Sequence, residues 1–137
     1  MAMTSNSIEI NGRRIGPGSP TYIVAEMSAN HGQRFEQALK IIEAAKAAGA
    51  DAIKLQTYTP DTLTIDCDNE YFTIKGTLWA GRNLYDLYNE AFTPWEWQAK
   101  LQQVASSLGL DLFSTPFDDT AVDFLEALKV RAQDSFL

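Results

Sequence analysis

Two short apolar runs, Tyr22-Ile-Val-Ala-Glu26 and Ala52-Ile-Lys-Leu-Gln56, constrain the fold more than anything else in this chain. Each reads as a strand that is apolar on both faces, the pattern of a parallel sheet covered by helices. Between them Phe35, Ala38, Leu39, Ile42 and Ala45 recur at helical spacing, and Gly49 supplies the stop. Strand, helix and strand in that order make a βα unit leading into a parallel neighbour. Glu26 and Lys54 then fall towards the carboxyl ends of adjacent strands, the side of an α/β sheet where ligands bind. A charge inside such a run is costly unless it reaches a partner or a polar cavity. The pattern points to an enzyme.

Ile8-Glu-Ile-Asn-Gly-Arg-Arg-Ile15 alternates around Asn11-Gly12, a strong hairpin signal, and Gly16 to Pro20 form a turn-rich connection. Residues 58–92 are the least regular stretch, broken by Pro60, Gly76 and Gly81 and studded with Tyr71, Phe72, Trp79, Tyr85, Tyr88 and Phe92. A loop of that length in an α/β protein reads as a binding segment. Thr93-Pro94-Trp95-Glu96 has the form of a capping box with proline at the first helical position. The helix it opens carries Trp97, Leu101, Val104, Ala105 and Leu108 on one stripe and closes at Gly109. A third strand is expected over Leu110 to Phe113, with Ser114-Thr115-Pro116-Phe117-Asp118 following at its carboxyl end. A third helix begins near Asp119. The expected fold is therefore α/β, a hairpin plus three βα units, with both sheet edges open.

A chain of 137 residues supports one domain with a sizeable core. Its net charge of −7 argues against nucleic acid or an anionic membrane as partner, because both need clustered Lys and Arg. The single cysteine, Cys67, excludes a disulfide framework or a thiolate zinc site, and the single histidine, His31, excludes a three-histidine metal centre within this chain. Met1 to Ser7 is polar, with no basic end and no apolar stretch, so a cytoplasmic location is expected.

Glu26 suits an acid, a base or a ligand contact, and equally a solvated strand-end carboxylate. Lys54 suits a phosphate or carboxylate, since its point charge needs a partner, although a lysine snorkelling to water gives the same sequence. Gln56 shares the Lys54 strand face and is placed to hydrogen-bond a polyol. Asn30 and His31 occupy the loop after Glu26, where a lone histidine is also commonly structural. Lys75 and Arg82 are candidates for a lid, while Tyr71, Trp79 and Tyr85 suit packing over the sheet end. Ser114 and Thr115 offer hydroxyls and amides, with no histidine nearby in sequence to make a serine nucleophile. There is no glycine-rich phosphate fingerprint and no Walker lysine motif.

Ile23-Val-Ala-Glu-Met-Ser-Ala-Asn-His31, Gly49-Ala-Asp-Ala-Ile-Lys-Leu-Gln-Thr57 and Phe113-Ser-Thr-Pro-Phe-Asp118 resemble the sialic acid synthase family in order and spacing. Ile74-Lys-Gly-Thr-Leu-Trp79, Asn83-Leu-Tyr-Asp-Leu-Tyr88 and Thr93-Pro-Trp-Glu-Trp97 are similar to its pseudaminic acid synthase branch. The resemblance implies a (β/α)8 TIM barrel followed by a small antifreeze-like domain, of which Met1 to Val130 would be the N-terminal portion. It implies condensation of phosphoenolpyruvate with an acylated amino sugar, a 2,4-diacetamido-2,4,6-trideoxy hexose in this branch, releasing phosphate. N-acetylneuraminate synthase, with N-acetylmannosamine as acceptor, is the neighbouring alternative. A non-catalytic fragment acting by association and a flavodoxin-like module are further ones. The resemblance makes Glu26 and Lys54 catalytic and assigns Lys54 and Gln56 to substrate. Asn30, His31, Lys75, Ser114 and Thr115 stand beside them as candidate substrate contacts. It further implies a divalent metal, Mn or Mg, held by ligands outside this chain, and a homodimer.

Two departures stand out. Asn30-His31-Gly32-Gln33 replaces the Asn-His-x-Gly arrangement, moving the glycine by one position. After Val130 the chain reads Arg131-Ala-Gln-Asp-Ser-Phe-Leu137 in place of a fourth strand with a further phosphate-contacting lysine. Residues 131–137 therefore read as a divergent tail from truncation or a frameshift, and the chain alone is expected to lack synthase activity.

Overall fold

Asn11 and Gly12, with φ of 51° and 82°, supply the two left-handed residues that a tight hairpin between right-twisted strands requires. They join β1 (Ile8–Ile10) to β2 (Arg13–Ile15) as an antiparallel pair. The structure is a computed structural model that describes residues 7–76 and 80–130. Trp79 and the tail after Val130 lie outside the described residues. After the hairpin come β3 (Val24–Glu26), α1 (Phe35–Ala47), β4 (Ala52–Thr57), α2 (Pro60–Leu63) and α3 (Leu84–Ala91). The order closes with α4 (Trp95–Ser107), β5 (Asp111–Pro116) and α5 (Asp119–Ala127). No described helix is long and apolar enough to cross a membrane.

The three long-range strands pair in parallel in the order β3-β4-β5. Side chains alternate along each strand, so the register divides the sheet into two faces. Ala25, Ile53, Leu55 and Leu112 face one way and form a single core with Ala38, Ile42 and Ala45 of α1 and Leu101 and Ala105 of α4. Ile42, Ile53, Leu55 and Leu101 are completely buried, and burying each contributes about 1.5–3 kcal/mol. Val24, Glu26, Lys54, Gln56, Phe113 and Thr115 share the other face. That face is partly open: Val24 keeps 36% of its surface exposed.

Four sequence expectations change. The last strand does not stop at Phe113 but continues through Ser114 and Thr115 to Pro116, paired with Leu55, Gln56 and Thr57. Ser, Thr and Pro read locally as a loop, yet parallel pairing outweighs that preference, and the proline sits at the end of an edge strand where no donor is needed. The capping box at Thr93 does not form: α4 begins at Trp95, and the Thr93 hydroxyl is taken by His31. Residues 58–92 are also more regular than expected, containing α2 and an α3 whose Asn83 cap accepts the Asp86 N–H. Tyr71 does not pack over the sheet, being 82% exposed.

At the amino ends of the strands the hairpin is sewn to the sheet by two carboxylates. Asp51 accepts the Ile23 N–H at 2.8 Å and pairs with Arg13, whose guanidinium also donates to the Thr21 carbonyl. Asp111 accepts from Asn11 and from the Tyr22 hydroxyl, both at 2.6 Å. Burial, and then the Asp111 bond, push the Tyr22 phenol far above its ordinary range. Asp51 is held below the usual carboxylate range, first by the Ile23 N–H and then by Arg13.

At the opposite end His31 ties the β3–α1 connection to the start of α4. The ring is fully buried and meets the edge of Trp97 at 5.7 Å between ring centres. Its Nδ1 accepts the Gln33 N–H at 3.0 Å, so the neutral ring carries its proton on Nε2 and donates to Thr93 Oγ1, also at 3.0 Å.

Two outcomes are expected. Tyr22→Phe removes one hydroxyl-to-carboxylate bond and should lower unfolding free energy by about 1.5 kcal/mol in urea titrations; an unchanged midpoint would mean that the latch contributes nothing. Burial lowers the His31 pKa, so the neutral ring stabilises the fold fully above the unfolded-state value of about 6.5, and that contribution fades as pH falls below it. Because His31 is the sole histidine, urea midpoints should drop between about pH 7 and about pH 5. His31→Gln should flatten that stretch at lower overall stability, and a flat profile in the unsubstituted chain would contradict the assignment.

Candidate functional site

The register that builds the sheet also aligns its charges. Glu26 is the direct partner of Lys54, and Lys54 of Phe113, so the three lie in one row across the open face. Lys54 Nζ reaches Glu26 Oε1 at 2.8 Å, with the lysine side chain 14% exposed and the carboxylate 51% exposed. One step nearer the carboxyl ends, Gln56 and Thr115 form the next row of the same face. The strands therefore carry an ammonium, a carboxylate and an amide on one face towards the carboxyl ends of the sheet, where ligands bind in α/β folds, while Thr115 on the same face is buried.

The loop from Met27 to Arg34 folds over this end as successive turns, beginning with Met27 N–H donating to the Lys54 carbonyl at 2.9 Å. Ser28 and Gln33 take φ of 49° and 50°, a left-handed backbone that is unfavourable without glycine. Such outliers persist where the surroundings over-determine them and are frequent at binding sites. Gln33 shows how this is achieved. Its N–H bonds His31, while its side-chain amide donates to the Asn89 carbonyl at 2.8 Å and the Phe92 carbonyl at 3.2 Å. A cleft of about 520 Å³ lies between this loop and α3, lined among others by Ala29, Gln56, Tyr58, Leu87, Tyr88 and Ala91. Burial raises the Tyr58 phenol to about 12, so its hydroxyl stays protonated.

The remaining candidates separate. Ser114 points away from the site: it shares the Leu55 row on the helix-covered face, where its hydroxyl donates to Thr57 Oγ1 at 2.6 Å. Thr57 in turn donates to Gln98 Oε1 at 3.1 Å, within a buried network. Ser114 is thus a packing residue, and only the unforeseen length of β5 reveals its face. His31 is likewise withdrawn from the open face, both ring nitrogens being used to hold the loop. Asn30 is exposed on that loop and donates to the Met27 carbonyl. Lys75 is exposed beside Gly76 and does not line the cleft. Arg82, the other lid candidate, forms a two-pronged pair with Glu90, whose carboxyl is held below its ordinary range by that contact. The sequence reading passed over Gln33 and Tyr58. The displaced glycine at Gly32 was the signal available for Gln33.

Among the described residues no group of three His, Cys, Asp or Glu side chains is placed to hold a metal ion. Glu26 is engaged by Lys54, and His31 has no free nitrogen. The described residues therefore do not fit a resident divalent metal. What the row does present is an ammonium held beside a half-exposed carboxylate on the sheet face away from α1 and α4.

Comparison with known proteins identifies the family. A profile of the NeuB family matches residues 41–133. The chain is 54% identical over 105 residues to a pseudaminic acid synthase of Campylobacter jejuni, covering 77% of this chain and 31% of that protein. It is 49% identical over 109 residues to the pseudaminic acid synthase of Helicobacter pylori, covering 80% and 32%. The crystal structure of an N-acetylneuraminic acid synthetase from Leptospira borgpetersenii superposes with a TM-score of 0.74 at 27% identity, covering 94% of this chain and 40% of that one. The chain thus spans about a third of the length of the curated relatives it matches. By the reach of the family match and the identity to these synthases, it belongs to the NeuB family.

Proposed function

We propose that Glu26, Lys54 and Gln56 form the anion-binding part of a synthase that joins phosphoenolpyruvate to a 2,4-diacetamido-2,4,6-trideoxy hexose, giving a nonulosonic acid and phosphate. The observation that carries this reading is the Lys54–Glu26 pair at 2.8 Å on the open face of parallel strands. The names of the Campylobacter and Helicobacter relatives support nonulosonic acid synthesis. The strands run in chain order with α1 and α4 on one face, which supports an arc of a barrel over a doubly wound module with helices on both faces.

In this reading Lys54 donates to an oxygen of the phosphate or carboxylate, for which its compact charge is suited. Glu26 keeps the ammonium oriented while the anion is absent. The enol carbon of phosphoenolpyruvate then forms a bond to the sugar's aldehyde carbon, and the aldehyde oxygen takes a proton. Water adds to the resulting cation and gives its proton to a base, a role open to Glu26 because half of its side chain faces solvent. The carbon–oxygen bond to phosphate breaks last. Gln56, one row further along, is placed to hold a sugar hydroxyl or amide. Three strands enclose the anion from one side, whereas a closed barrel takes roughly 250 residues, so the chain by itself binds the anion without turning over.

Calorimetric titration with phosphoenolpyruvate tests the anion site. Lys54→Ala should weaken binding by roughly 10- to 100-fold, the range of a hydrogen bond to a charged group, while Glu26→Gln should bind at least as well as the unsubstituted chain. Equal affinity for the native chain and Lys54→Ala would refute the reading. Phosphate release from phosphoenolpyruvate and the diacetamido sugar should stay at background for this chain, and sugar-dependent release would show that three strands suffice.

A further inference from the structure

We propose that Asn11 is a site of self-catalysed deamidation, held in check by the contact between its side chain and Asp111. Asn11 is the only asparagine in the chain that is followed by glycine. The pairing matters chemically because Gly12 has no Cβ to shield its backbone nitrogen from the preceding side chain. Once that nitrogen gives its proton to water or hydroxide, it attacks Asn11 Cγ and forms a new C–N bond. The bond from Cγ to Nδ2 breaks, and Nδ2 takes a proton from solvent and leaves as ammonia. Water then opens the five-membered imide at either carbonyl. Opening at Cγ leaves an ordinary aspartyl residue; opening at the backbone carbonyl leaves an isoaspartyl link, with the chain running through Cβ and Cγ. The net change is water consumed and ammonia released.

The folded chain restrains this reaction. Asn11 and Gly12 are exposed at the β1–β2 turn, so solvent reaches them. Asn11 Nδ2, however, donates to Asp111 Oδ1 at 2.6 Å, a contact between residues 100 positions apart. That carboxylate is itself fixed by the Tyr22 hydroxyl at 2.6 Å. The pairing of Ile10 with Arg13 locks the two turn residues at left-handed φ of 51° and 82°. Closing a ring between Cγ and the Gly12 nitrogen requires the amide to leave Asp111 and turn back on its own backbone. The reaction therefore proceeds from molecules in which the turn has opened locally.

The product reverses the contact. A donor amide becomes a carboxylate facing Asp111, and two carboxylates at hydrogen-bond distance resist ionising together. The charged and titratable groups beside them are Arg13, Tyr22, Lys46 and Asp51, with Lys129 on the far side of Asn11. Arg13 is paired with Asp51, and Lys46 donates to the Gly109 carbonyl at 3.2 Å, so the new charge meets Asp111 first. The isoaspartyl form also lengthens the backbone where the tight turn requires two left-handed residues. Either product loosens the hairpin from β5 at the amino ends of the strands, which makes Asn11 a slow, irreversible release for this latch.

The test is to age the 137-residue chain at mildly alkaline pH, folded and in guanidinium chloride, and to map its peptides by mass and by isoaspartyl content. Aspartyl and isoaspartyl forms should both accumulate at position 11, faster at higher pH because the Gly12 N–H must lose its proton. The folded chain should react roughly 10- to 100-fold more slowly than the unfolded one, the range of a hydrogen bond to a charged group. Tyr22→Phe, which frees Asp111 to move, should bring the folded rate towards the unfolded one. Gly12→Ala should slow the reaction in denaturant, where its effect on folding does not enter. Asn11→Asp should have a lower urea midpoint than the native chain at pH 7. Because the paired carboxylates have a raised pKa in the folded state, that deficit should shrink as pH falls towards about 4. Equal rates in the folded and unfolded chain would overturn the restraint by Asp111. Absence of isoaspartyl product in denaturant would overturn the self-catalysed route, and an Asn11→Asp chain as stable as the native one at pH 7 would overturn the release.

Discussion

The parallel register of β3, β4 and β5 is the constraint on which the rest of this structure depends. Because side chains alternate with a period of two, a slip of β4 by one residue would drive Lys54 into the α1–α4 core and turn Leu55 out to water. The fully buried Ile53 and Leu55 make that slip prohibitive. Asp51 and Asp111 add a second restraint at the amino ends, where each fixes a strand entrance to the hairpin or its connection. The Glu26–Lys54 pair follows from this register and does not create it: half of the carboxylate is in water, and such pairs contribute about 1 kcal/mol or less. A charge pair of small structural worth on a partly open sheet face is the observation on which the proposed anion site rests.

Much of this was legible in the sequence, for reasons that can be named. The helical spacing of Ala38, Ile42 and Ala45 produced a buried stripe because apolar periodicity and tertiary packing agree. Asn11-Gly12 produced its hairpin because the turn is specified by two local residues. The failures share another cause. Ser114 and Thr115 were read as a loop because their propensities are loop-like, and the pairing with Leu55 and Gln56 that makes them a strand is not written locally. Their sidedness was hidden with it, so Ser114 was counted with the site although it faces the helices. Thr93 showed the same difficulty: a valid capping signal lost its hydroxyl to a histidine 62 residues earlier in the chain.

The candidate site was visible at its charges and hidden at its walls. Glu26 and Lys54 stand out because charge within an apolar run is conspicuous. The cleft beside them is assembled from a loop, α3 and one end of β4, and its apolar lining looks in sequence like ordinary core. His31 also illustrates why residue type alone misleads. Its burial and two internal bonds make it the brace that shapes the loop, with its charge suppressed. The candidate site then divides into a charged row set by sheet register and a loop shaped by a buried polar contact.

The most direct test is the side-chain resonance of Lys54 during titration with phosphoenolpyruvate, observed in lysine-labelled chain and assigned with Lys54→Arg. A saturable movement of Lys54, with the resonances of Lys75 and Lys129 left in place, is the result this account predicts. An unmoved Lys54, or parallel drift of all the lysines, would show that the Lys54 ammonium is no anion site.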